Sequence, residues 1–259
     1  MSRLLLGARS SLATVLALVW ILVAGLVTLY PFVWPATLLF PSRRRLLVSR
    51  FMKFICVGID ACMWLGGVRH QRVGTISTAS PVLVFMNHQS LLDIVAATRM
   101  AAPYVPAFVA RRRYARFVPV VSTTIRLLGS AVVDPKRDPR GSVAALSRAG
   151  REDDHGILLY PEGHRSLDGE IRPFRTAGAL AVLGARRLPV TLVVTDGYWG
   201  SRRLVDFVFD CGALRGRTEV VGTFTPPERD EDLPAFLVEM RERMVAHLEE
   251  MRKREGRAA

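Results

Sequence analysis

From Ser11 to Pro41 the chain carries no formally charged residue, and Leu12 to Trp34 alone is long enough, as a helix, to cross ~30 Å of hydrocarbon. This segment meets a membrane. The apolar stretch is too long for an ordinary cleavable signal, and no clear small-x-small site closes it. Arg3 and Arg9 precede it, whereas Arg43, Arg44, Arg45 and Arg50 follow it. The stronger basic flank therefore lies toward the main part of the chain, which the positive-inside rule assigns to the cytoplasmic face of the cell's inner membrane. Pro31, Pro35 and Pro41 interrupt the run and admit a second arrangement, a bent helix or helical hairpin held in one leaflet. Trp20, Tyr30 and Trp34 suit an interface either way. Leu46 to Leu65 is apolar and helical in pattern, either continuing the anchor along the bilayer or packing on the rest of the protein.

After Arg69 the texture is that of an α/β domain. Short β-branched or apolar runs recur at Val82–Phe85, Tyr104–Ala110, Ala131–Val133, Ile157–Tyr160, Val190–Thr195, Leu204–Phe209 and Glu219–Phe224. Helical stretches lie between the earlier ones, at Leu91–Met100, Ala115–Leu128, Ser142–Arg151 and Ala177–Arg187. Such alternation predicts a mixed, largely parallel sheet flanked by helices, antiparallel in part where the last strands follow one another closely. Leu237, Met240, Met244 and Leu248 mark an amphipathic helix over Asp232–Arg254. With 259 residues, one sizeable core is expected. The chain divides into a membrane-associated helical region (1–64), a catalytic domain (65–225) and a terminal helix (226–259).

The net charge of +13 admits nucleic acid, an anionic membrane or an acidic partner. Nucleic acid is disfavoured, because no aromatics interleave with the basic cluster Arg111, Arg112, Arg113, Arg116 and no recognition motif is present. Cys56, Cys62 and Cys211 have neither a C-x-x-C nor a Cys/His ligand spacing and read as reduced core thiols. There is no nucleophile elbow, no phosphate-binding G-x-x-x-x-G-K-[ST] and no metal constellation.

The chemistry concentrates in two stretches, Asn87-His88-Gln89-Ser90-Leu91-Leu92-Asp93 and Tyr160-Pro161-Glu162-Gly163-His164-Arg165-Ser166, each after a strand-like run. An imidazole titrates where it can both take and return a proton, which makes His88 a candidate general base. Positions five apart on one helix lie about 140° from each other, so His88 and Asp93 can pair only if the histidine is in the loop and the aspartate in the first helical turn. There the carboxylate would fix the imidazole tautomer. Ser90 to Asp93 also satisfies the capping-box pattern, which would leave Asp93 purely structural. In the second stretch, Arg165 offers a planar guanidinium, and Gly163 offers turn N–H groups, to a phosphate. Glu162 can accept from a hydroxyl or fix an arginine.

Both stretches resemble the 1-acylglycerol-3-phosphate O-acyltransferase family of glycerolipid acyltransferases, which carries N-H-x4-D and later [FY]-P-E-G-[TS]-R-S. The resemblance covers roughly residues 65 to 225 and implies the acyltransferase fold, with His88 and Asp93 as the catalytic pair. It further implies that Glu162, Gly163, Arg165 and Ser166 bind the acyl acceptor. Pro173-Phe174-Arg175-Thr176-Ala177-Gly178 resembles the family's F-K-x-G segment, adding Arg175 to the acceptor site with arginine for lysine. His164 replaces the usual Thr or Ser. Pro135 stands where the strand-forming block Gly129–Asp134 would be followed by arginine, so Lys136 or Arg137 would compensate. Together with Arg111 and Arg113 these can meet a headgroup or the acyl donor. The expected reaction moves a fatty acyl chain from a thioester, acyl-CoA or acyl carrier protein, to the hydroxyl of a lysophospholipid. The expected acceptor is 1-acyl-glycerol-3-phosphate, the product phosphatidic acid, and no cofactor or metal takes part. Two alternatives are another acceptor, such as a lyso-ornithine lipid, and a silent membrane scaffold.

Overall fold

A computed structural model describes residues 3–201 and 203–256, so the outermost residues of the ranges 1–64 and 226–259 lie outside the described set. The helices are α1 (Arg3–Thr28), α2 (Trp34–Leu39), α3 (Arg44–Gly66), α4 (Leu92–Met100), α5 (Val121–Leu127), α6 (Pro139–Glu152), α7 (Thr176–Ala185), α8 (Leu204–Asp210) and α9 (Leu233–Arg254). The strands are β1 (Arg69–Val73), β2 (Ile76–Ser77), β3 (Leu83–Met86), β4 (Ala101–Ala102), β5 (Ala107–Phe108), β6 (Ala110–Arg111), β7 (Val132–Val133), β8 (Ile157–Leu159), β9 (Val190–Asp196) and β10 (Arg215–Phe224). Six form one sheet in the order β1-β10-β9-β3-β8-β5, in which only the β9–β10 pair is antiparallel. The expected mixed, mostly parallel sheet is thus present.

Every residue of β3, β8 and β9 is buried, as central strands covered on both faces must be. The two-residue period sorts their side chains. Leu83 and Phe85 join Val182 and Leu183 of α7 and Leu237, Met240 and Met244 of α9. Val84 and Met86 join Val48 of α3 and Ala96, Ala97 and Met100 of α4. The far face of β3 is therefore also where the N-terminal helices attach.

Those helices form a hairpin. Pro31 lacks the N–H that an α-turn would use, and the helix loosens there into one π-turn, Leu29–Val33, instead of ending. α3 runs back along α1, with Trp20 Nε1 donating to Ile55 O at 3.0 Å. The ring lies so close that a Cβ at Gly58 would stand 2.0 Å from it. Near its start α1 is tied to α8: Ser11 Oγ donates to Val208 O at 2.8 Å and Thr14 Oγ1 to Phe207 O at 2.9 Å. Just beyond its end, Tyr30 OH meets Thr123 Oγ1 of α5 at 3.2 Å. Both ends of the long apolar helix thus rest on the α/β body. Its other face, including Leu12, Val15, Val19, Leu22, Val23 and Leu26, is exposed and apolar, and Phe54, Val57, Trp64 and Leu65 of α3 extend it.

Some sequence expectations are corrected. Leu204–Phe209 is a helix: Asp206 accepts from Arg203 N at 2.7 Å and closes a first turn, and packing of Phe207 against α1 overrides the β-branched pattern. The helix expected over Ala115–Leu128 starts only at Val121, because Pro119 and left-handed backbone at Phe117 and Val120 precede it. The strand expected over Tyr104–Ala110 is broken into β5 and the start of β6, which runs on to Arg111, and β1 lies at an exposed sheet edge where no strand is expected.

Candidate active site

β3 delivers the first motif to the sheet's C-terminal edge. Asn87 there adds a rung to the ladder, its Nδ2 donating to Thr195 O at 2.9 Å and its Oδ1 accepting from Thr195 N at 2.7 Å. His88 follows in the loop and Asp93 sits in the first turn of α4, the one placement that lets them pair. His88 Nδ1 lies 2.7 Å from Asp93 Oδ2. The same oxygen accepts from Gln89 N at 2.7 Å and Ser90 N at 2.8 Å. Asp93, fully buried, therefore both shapes the turn and aims the imidazole. Only half of the capping box forms: Ser90 N donates to Asp93, whereas Ser90 Oγ accepts from Leu92 N at 3.5 Å and donates to Ser201 O at 2.7 Å. With Nδ1–H toward the carboxylate, Nε2 is the basic nitrogen.

β8 delivers the second motif beside it. Tyr160 stacks on His88 with ring centroids 4.0 Å apart and planes at 19°, fixing the imidazole's plane. Sequence reasoning missed this role, although the aromatic stands first in the motif. Glu162 is buried and bonds backbone on both sides: Oε1 accepts from His88 N at 2.8 Å and Oε2 from Arg172 N at 2.9 Å. Burial pushes its carboxyl up to about 7, against the pull of those two donors. Ser166 N donates to His88 O at 2.7 Å, while its hydroxyl donates to Asp168 Oδ1 and accepts from Gly169 N, both at 2.9 Å. Glu162 through its carboxylate and Ser166 through its backbone N–H both hold the His88 loop, beside the acceptor role that the family resemblance implies for them.

The cations converge on the turn. Gly163 has φ +72°, and a Cβ there would come within 2.8 Å of Arg175 Cδ, so the position demands glycine. Arg111 Nη2 donates to Gly163 O at 2.9 Å. Exposed His164 is held below its usual pKa by desolvation and by the fields of Arg175, Arg111, Lys136 and Arg172, of which Arg172 was not anticipated. Arg165 is half-buried, and its charge acts on Tyr160, whose hydroxyl pKa burial drives well upward. Arg113 goes elsewhere, onto the Tyr114 ring, with Nη2 2.9 Å from its hydroxyl. Arg137 is exposed in the turn leading to α6. Among the described residues no three His, Cys, Asp or Glu side chains converge as metal ligands. The arrangement amounts to a carboxylate-oriented base beside a basic, Gly-containing turn, suited to activating a hydroxyl on an anionic molecule.

The family model described as acyltransferase matches residues 67–195, which hold both motifs. The 1-acyl-sn-glycerol-3-phosphate acyltransferase of Helicobacter pylori is 26% identical over 70% of this chain and 73% of its own length. A chloroplastic protein of Brassica napus with that name is 32% identical over 47% of this chain, and the chain spans only 34% of that longer relative. The crystal structure of the 1-acyl-sn-glycerophosphate (LPA) acyltransferase PlsC from Thermotoga maritima superposes with a TM-score of 0.69 at 19% identity, covering 96% of both chains. Residues 67–195 are thus similar in sequence to the acyltransferase family and to relatives named 1-acyl-sn-glycerol-3-phosphate acyltransferase, and the Thermotoga structure shares the fold.

Proposed function

We propose that this protein transfers a fatty acyl group from a thioester to the free hydroxyl of 1-acyl-glycerol-3-phosphate, giving phosphatidic acid. The observation that carries the reading is the 2.7 Å His88–Asp93 pair beside the cationic turn at Gly163. His88 Nε2 takes the acceptor's hydroxyl proton as its oxygen attacks the thioester carbonyl. The C–O bond forms, the C–S bond breaks, and the imidazolium returns the proton to the departing thiolate. Asp93 stabilises the positive imidazolium between those events. Arg165 and the cations around His164 hold the acceptor phosphate. The scheme uses no cofactor or metal, and acyl-CoA or acyl carrier protein serves as donor. A phosphate monoester suits this concentration of cations better than the amine-bearing headgroup of a lyso-ornithine lipid.

The apolar hairpin supplies the second substrate's environment. Because both ends of α1 rest on the α/β body, the helix fits an in-plane seat in one leaflet at the cytoplasmic face, with its exposed side in lipid. The test is purified protein in nanodiscs, offered a panel of lysolipids with acyl-CoA or acylated carrier protein, with free thiol and product both measured. Thiol release that depends on 1-acyl-glycerol-3-phosphate supports the assignment. Release driven instead by a phosphate-free lysolipid, or by none of the panel, refutes it.

A further inference from the structure

Phe117 is 98% exposed, an unusual position for a large apolar side chain, and its backbone is left-handed at φ +60°. Three residues on, Val120 is left-handed as well, at φ +65°. Both conformations are costly for residues with side chains, so the surrounding structure must hold them. At the base of the loop, Ser122 Oγ accepts from Val118 N and donates to Tyr114 O, each at 3.0 Å. Val120 is buried with Leu29, Phe51 and Ile55 of the hairpin, and it occupies the space that a Cβ on Gly25 would need. The loop is thus an ordered projection attached to the hairpin, with Phe117 as its tip.

Its charge is one-sided. Arg112, Arg113 and Arg116 are exposed around Phe117, and no acidic residue occurs between Met100 and Asp134. An apolar tip ringed by guanidinium groups matches the boundary of an anionic bilayer, where the ring enters the acyl region and the arginines meet headgroup phosphates. A protein partner's apolar pocket would satisfy Phe117 alone, but it gives no account of the attachment to a helix whose exposed face is itself apolar.

We propose that the Arg112–Val121 loop is a second membrane-inserting element, by which the α/β body itself grips anionic lipid. The test uses the full chain carrying Phe117→Cys with Cys62→Ser, labelled with an environment-sensitive fluorophore; Cys56 and Cys211 are buried. Matched samples carry the label at Val19→Cys, on the exposed hairpin face, or at Glu249→Cys, exposed on α9. They are placed in nanodiscs of phosphatidylcholine alone or mixed equally with phosphatidylglycerol, with spin-labelled acyl chains as quencher. Emission at position 117 should shift to the blue in the mixed discs and be quenched several-fold more than at position 249. Phosphatidylcholine alone should give weaker quenching.

A water-like label at 117 overturns the proposal, whether or not Val19→Cys is quenched. Equal quenching in both lipids overturns the role of the arginines. Acyl transfer, assayed separately on unlabelled protein, moves independently of this readout.

Discussion

Glu162 accepts the backbone N–H of His88 with one carboxylate oxygen and that of Arg172 with the other, at 2.8 and 2.9 Å. The second motif therefore holds the first in place, and in the proposed reaction its glutamate would act through the backbone that carries His88. An amide presents only one acceptor and would set an N–H against an N–H. Glu162→Gln should then lose about 1–3 kcal/mol of stability and lower kcat, with little change in the KM for the acceptor. A selective rise in acceptor KM would return Glu162 to direct substrate contact.

The same carboxylate predicts a pH dependence. Its folded value of about 7 lies above the ordinary carboxylate range, so between that range and about 7 the folded state binds more protons than the unfolded one. The contribution of Glu162 to stability falls as pH rises through the window. Urea unfolding of wild type and Glu162→Gln at about pH 5 and about pH 8 should show a difference between them that shrinks toward the alkaline end.

For the central pair, His88→Ala should reduce turnover roughly 10²–10⁴-fold while leaving the fold intact, because the imidazole is in a loop and takes little part in the core. Asp93→Asn should be severe in both respects, since the carboxylate orients His88 and also accepts two loop N–H groups. Circular dichroism and single-turnover rates separate the effects. Near-normal turnover in folded His88→Ala would remove it as the base.

The two motifs and the sheet were legible because their signals are local: fully apolar runs for β3, β8 and β9, and a spacing that forces His88 into the loop. Partnerships made across the fold were not. Nothing in the sequence near Glu162 shows that its carboxylate accepts from His88 N and Arg172 N, or that Asp168 and Gly169 engage the Ser166 hydroxyl. Leu204–Phe209 misled for a related reason, since contact with α1 decides its helicity and its own pattern does not. The hairpin was among the arrangements the prolines allowed, and contacts across the fold such as those of Thr14 and Tyr30, which no local pattern shows, hold it against the rest of the protein.

Arg165 offers a test of phosphate recognition. Arg165→Ala should raise KM for the phosphorylated acceptor well above any change for the donor, by about 1.5–3 kcal/mol of binding. Arg165→Lys should recover part of that, keeping charge but not the fork. Kinetics with both substrates varied would show a donor-side effect if the assignment is wrong.

A separate network predicts acid sensitivity. His70 sits between Tyr198 OH, 2.9 Å from Nδ1, and Asp60, itself bound by Arg72. Burial, with Arg72 adding to it, lowers its pKa to about 4. Between about 4 and the ordinary value the unfolded state binds more protons, so stability rises with pH across that interval, by on the order of 3 kcal/mol at most. His70→Gln should flatten this limb of the stability profile. A slope as steep as that of wild type would assign it to other groups.

The proposed membrane seat is best tested on the hairpin's outer face. Deleting residues 1–41 would also strip α1 from Phe207, Cys211 and Ile55, so loss of membrane binding could reflect unfolding. Val19 and Val23 avoid this: each is about half exposed and projects from the side of α1 away from the body. Val19→Glu and Val23→Glu together should leave the thermal unfolding midpoint nearly unchanged. Vesicle affinity should fall by at least tenfold per site, since each valine buried in lipid contributes about 1.5 kcal/mol or more and each glutamate adds a desolvation cost. Gly58→Ala should do the reverse, driving a methyl into the Trp20 ring and destabilising the hairpin without altering its outer face. Sedimentation with vesicles at high salt distinguishes the two variants. If the double glutamate variant pellets with lipid as fully as wild type, without aggregating, this face does not hold the protein to the membrane.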